Sequence, residues 1–201
     1  FLVVLNMPNG PLKGLHSMGS FYRLGQLLDT QSRTARVRSL IWGGSFEMVT
    51  PHDPIEFPDG SVDNFNAIRP LFGYGPESMH MAYNPFYPPE LAYVEKRNAS
   101  PDRSHNETWD SMVFAGVFGL IAYLSVFTAV FYYGLKWLGL VDSNRKKWLF
   151  FGIYFGSGII SAVLFAQWQG IAFAGLGLPF GLILGLIIYL ALIALFSKGV
   201  A

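Results

Sequence analysis

"SMVFAGVFGLIAYLSVFTAVFYYGL", Ser111–Leu135, is the stretch on which the fold turns. It contains no Asp, Glu, Lys, Arg or His, whereas "DRSHNETWD", Asp102–Asp110, directly before it is dense in them. A helix needs roughly 20 apolar residues to cross the hydrocarbon of a bilayer, so this run holds one span. Downstream, Trp148–Ser197 is free of the same charged residues and is twice as long, so it holds two more. The chain of 201 residues is 52% hydrophobic and only 13% charged, which is too apolar for an ordinary soluble domain. The expected fold class is an all-α integral membrane protein whose three transmembrane helices follow a large extracytoplasmic segment.

The expected spans are about 112–137, 148–168 and 179–197, with Pro179 in the first turn of the third, where a missing N–H costs nothing. Together they form a membrane domain, 111–201. Residues 1–110 form a separate polar segment that holds 11 of the 12 prolines. The short link between the first two spans carries Lys136, Arg145, Lys146 and Lys147, and Lys198 follows the third. Lysine and arginine collect in short cytoplasmic loops, so these residues face the cytoplasm, while 1–110 and the "QWQG" turn face outward. The start, "FLVVLNMPNGP", has too short an apolar patch for a signal peptide and no initiating Met. It reads as the end of a further membrane helix, as in a fragment or a processed product.

Within the polar segment, Leu24, Leu27 and Leu28, then Val37, Leu40 and Ile41, carry helical spacing. Two amphipathic helices joined near Asp29–Gln31 fit that pattern. "TPHDPIEFPDGSVDN" is rich in turn residues, and "YNPFYPPELAY" suits a packed loop at headgroup level. With no cysteine, the chain has no disulfide, thiolate metal site or cysteine nucleophile. The four histidines lack the i, i+3 or i+4 partner that a helical metal site needs, so neither metal nor cofactor is expected. Nothing in the charge pattern points to nucleic acid. The spans carry no charged residue of the kind that marks an ion path, which argues against a channel or transporter.

Two groups of residues remain as candidates for chemistry. Arg33, Arg36 and Arg38 lie close together, and Arg69 and Arg103 follow at intervals. Guanidinium groups fork onto phosphate oxygens, so such a set suits a lipid phosphate or pyrophosphate; it equally suits headgroup anchoring or pairing with local acids. His105 adjoins a membrane helix beside Arg103, Asn106, Glu107 and Asp110. An imidazole there can take a proton from a hydroxyl, or it can serve structure alone. Asn98-Ala-Ser100 and Asn106-Glu-Thr108 also fit the N-glycosylation pattern, which two short polar triplets meet by chance.

His105-Asn106, nine residues, Gly116, two residues and Gly119 give H-N-x9-G-x-x-G before an apolar helix. This resembles the signature of the bacterial O-antigen ligase and O-antigen polymerase superfamily. Upstream, Arg38-Ser-Leu-Ile-Trp42 and Pro70-Leu-Phe-Gly-Tyr-Gly75 stand in the order of two further family elements. The resemblance covers about Arg33 to Tyr133 and implies the C-terminal part of a larger, GT-C-like enzyme in the bacterial inner membrane. It implies a polyprenyl-pyrophosphate-linked glycan as donor and a sugar hydroxyl as acceptor. His105 is then the catalytic residue; Arg38 and Asn106 bind substrate, and Arg69 and Arg103 join them by proximity in sequence. The alternative is a non-catalytic membrane subunit that docks onto other membrane subunits. Gly116 and Gly119 are expected to permit close helix packing.

Overall fold

The structure, a computed structural model, describes Gly14 and residues 32–57, 59–95 and 99–197. The first amphipathic helix, the residues at 1–8 and His16 lie outside the described residues. Among the described residues, seven α-helices follow in order: α1 (Arg33–Val49), α2 (Arg69–Phe72), α3 (Met79–Ala82), α4 (Leu91–Val94), α5 (Glu107–Trp137), α6 (Asn144–Gln169) and α7 (Ala174–Ser197). Short 3-10 turns precede α2 and α7. Among the described residues there is no strand, only an isolated antiparallel bridge between Glu56 and Val62. Among the described residues, three helices are long and apolar enough to cross a membrane.

The ends of these helices follow local chemistry. Ser32 caps α1 by accepting from the Ala35 N–H at 3.3 Å, and α1 stops at Thr50, which Pro51 holds extended. Asn106 caps α5 and Ser143 caps α6 in the same way. Gly139, at φ 71°, ends α5: its N–H reaches the Lys136 carbonyl while Leu140 N–H reaches Leu135. All three long helices therefore begin some residues ahead of the apolar spans read from sequence. Pro179 lies inside α7 and not in its first turn. The added turn is held by packing: a side chain on Gly175 would strike the Trp109 indole, and one on Gly177 would strike Ser161 and Phe165.

α6 and α7 form a tight antiparallel pair. Gly177, Gly181 and Gly185 recur every fourth residue and meet Ser157, Gly158 and Ser161 so closely that no side chain would fit. α5 joins this pair near its far end, where Phe131 and Tyr132 contact Tyr154, Phe150 and Phe151, and Tyr189 donates to the Leu140 carbonyl at 2.9 Å. At the other end a second core is built on α1, whose buried Ile41, Trp42, Gly44, Ser45, Met48 and Val49 recur at helical spacing. Tyr83 and Leu91 of the proline-rich loop are wholly buried there and anchor the loop, while Asn84, Pro85 and Tyr93 stay exposed. Trp42 meets Phe173 edge-on, and Trp109 donates to the Ala172 carbonyl at 2.8 Å. The polar segment and the α6–α7 connection thus share one end of the bundle. The basic link holding Arg145, Lys146 and Lys147 occupies the other.

Candidate functional site

The three sequence elements are built onto one another. From α1, the Trp42 indole N–H donates to the Ser104 carbonyl at 2.9 Å, which ties the arginine–tryptophan element to the histidine element. Ser104 is fully buried, and its N–H donates to the Asp110 carboxylate at 2.7 Å. Its hydroxyl donates to the Asn106 carbonyl and accepts from the Asn106 N–H. Asn106 then uses its side-chain oxygen to accept the Thr108 N–H at 3.1 Å. This knot holds His105 between two buried residues at φ 56°, in the left-handed region that a side chain adopts only at a cost. The imidazole is exposed as a result.

The third element closes on the same helix from the side. Gly116 has φ 64° and ψ −162°, which breaks α5. The break frees helix carbonyls, and two are met by the glycine loop: Tyr74 N–H donates to Val113 at 2.8 Å and Gly75 N–H to Phe114 at 3.0 Å. A side chain on Gly116 would run into the Leu71 backbone, and one on Gly73 into the Phe114–Gly116 backbone. Gly119 lies on the inside of the bend, where Ala115 and Ser111 come close. Gly116 thus lets the α2 backbone close onto α5, as the close helix packing expected of it requires, whereas the near neighbours of Gly119 belong to α5 itself.

Arg38 stands one helical turn before Trp42, so the indole staple brings it toward His105. The two line one cavity of about 320 Å³, together with Thr34, Glu95, Ser100 and Asp102. Among the described residues, Arg36, Arg38, Arg103 and His105 form no ion pair. Arg36 faces a different cavity, of about 460 Å³, beside Ser39, Gln169 and Gly170. Arg33 donates to the Val94 carbonyl at 2.6 Å, so Arg33 and Arg36 do not act as a pair. Arg103 is exposed and stands outside the wall of the Arg38–His105 cavity.

Arg69 lies elsewhere and is occupied. It donates to both oxygens of Asp63, at 2.8 and 3.0 Å, and to the Gly73 carbonyl, with its guanidinium over the Tyr74 ring. The Arg69 hydrogen bond holds the Asp63 carboxyl below the usual range, and burial pushes the Tyr74 phenol up to about 12. Tyr74 in turn meets His52 at 2.7 Å. Of the residues singled out from sequence, the fold therefore joins Arg38 and His105. It uses Asn106 as a cap and Arg69 as a brace for the glycine loop. Glu95 and Asp102 are cavity residues that sequence reading passed over, since an acid in a proline-rich loop carries no local signal. Among the described residues, no three of His, Asp and Glu are grouped as metal ligands would be.

No family model, curated protein or solved structure matches the chain.

Proposed function

We propose that the chain is a membrane glycosyltransferase that moves a glycan from a polyprenyl-pyrophosphate carrier to a sugar hydroxyl, in the manner of the O-antigen ligases and polymerases. The observation that carries this reading is the meeting of Arg38 and His105 in one cavity at the end of the bundle. Arg38 is free to neutralise phosphate oxygens, and charge builds there as the carrier departs. The acceptor oxygen attacks the anomeric carbon, and the bond from that carbon to the phosphate oxygen breaks. The electron pair leaves with the pyrophosphate, and the acceptor proton passes to the His105 imidazole. Asp102 and Glu95 are placed to hold sugar hydroxyls. On this reading the fold is GT-C-like. On the same reading the cavity faces the extracytoplasmic side of the bacterial inner membrane, which the basic link at the far end supports.

The test is transfer in vesicles from a polyprenyl-pyrophosphate-linked oligosaccharide to a soluble sugar acceptor. His105→Ala is expected to lose about 10²-fold or more, the usual share of a general base, while keeping its unfolding midpoint. Normal transfer by that variant would remove His105 from the mechanism. The second reading, a non-catalytic subunit within a larger membrane complex, is favoured by the little-covered spanning part of α5. It expects Arg38→Ala and His105→Ala to be silent and α5 surface changes to disrupt assembly.

A further inference from the structure

α2 and the turn before it leave a row of large apolar side chains uncovered: Phe65 is 61% exposed, Ile68 43%, Leu71 44% and Phe72 59%. Single exposed apolar residues are ordinary, but four within eight positions form a patch that calls for a partner. Three further facts say which partner. The Phe72 ring packs on Phe118 of α5 at 5.3 Å, and Phe118 is itself 53% exposed, so the patch continues onto the surface of a spanning helix. Next, the depth can be counted. Lys136 marks the far boundary of the hydrocarbon, and roughly 20 helical residues back from it lead to Gly116. The break in α5 thus falls at the near boundary, and Phe118 and Phe72 lie just inside it. Finally, Asn64–Gly75 contains a single charged residue, Arg69, whose charge is matched by Asp63 with its side chain only 2% exposed.

We propose that the Phe65–Phe72 face is sunk into the outermost acyl-chain layer of the bilayer that α5 crosses. Such a face lies about 5–10 Å below the headgroup boundary. Because Tyr74 and Gly75 are hydrogen-bonded to α5 and Gly73 packs against its break, immersion fixes the height of that break relative to the lipid phosphates. The inference rests on α5 being a span and is independent of glycan transfer.

The absence of cysteine gives a clean background for the test. Leu71→Cys and Phe72→Cys carry a nitroxide label in phosphatidylcholine–phosphatidylglycerol vesicles, and collisions with oxygen and with a water-soluble nickel chelate are measured. Val126→Cys supplies the membrane reference, and Ala67→Cys, on the flank beside His52 and Asp63, the aqueous one. The expected result is an oxygen-to-chelate ratio at 71 and 72 shifted toward that of 126 and away from that of 67. Chelate access at 71 and 72 overturns the proposal. So does protection from both probes, since a protein partner would then cover the patch. Chelate access at 126 would remove the span itself. None of these outcomes bears on His105.

Discussion

At the scale of single residues, the ion pair between Asp63 and Arg69 shows how a charge read by type alone can already have a partner in the fold. Arg69 stands beside a glycine loop, as a phosphate ligand would, and only the fold shows that Asp63 already holds its fork. Nothing local in sequence marks that pairing, because the two residues meet across a turn. The pair makes a prediction about pH. Asp63 has a lowered folded pKa, so its contribution is complete above the ordinary carboxyl pKa of about 3.9 and is lost as pH falls through the lower folded value. Asp63→Asn should cost about 1–2 kcal/mol at pH 7, a moderate figure because Arg69 is partly solvated. Between pH 4 and pH 2 the wild type should fall toward the variant. Denaturant midpoints in detergent across that range decide the matter, and a gap that stays constant to pH 2 would mean that the carboxylate charge is not what holds the loop.

At the scale of elements, the three long helices were legible because a charge-free run in lipid has few alternatives. Their starts were not, since hydropathy marks where lipid begins whereas Asn106 and Ser143 mark where the helix begins. Those caps are visible in sequence once the question is one of hydrogen bonds and not of solvent. The break at Gly116 was hidden for a different reason. A glycine in an apolar run looks like packing space, and its positive φ depends on a loop some forty residues upstream. Gly116→Ala should therefore be severe. The left-handed backbone costs of the order of 1–3 kcal/mol for a side chain, and the new methyl also meets the Leu71 backbone, which has nowhere to move. Gly134→Ala meets nothing and should leave the midpoint within about 1 kcal/mol of wild type. Thermal midpoints of both variants give the comparison; equal values would show that the break relaxes freely.

At the scale of the whole molecule, what sequence supplied was an order of segments, and what the fold adds is which ends they share. The arginine helix, the histidine corner and the Gln169–Phe173 connection were separate features along the chain. Trp42 and Trp109 gather them, one bonding to Ser104 and the other to Ala172. Both bonds join positions some sixty residues apart, and no periodicity encodes such a choice. The gathering fixes a sidedness that can be measured without any substrate. In sealed vesicles of uniform orientation, single cysteines replacing Ser39 and Gln169 should react with a membrane-impermeant maleimide from the same face. A cysteine replacing Asn144 at the start of α6 should react only from the opposite face. Since each long helix reverses direction, labelling of positions 39 and 144 from one side would require α5 not to cross. That single result would undo the common end of the bundle, and separate faces for 39 and 169 would do the same, because two crossings by α5 and α6 must return the chain to the face it left.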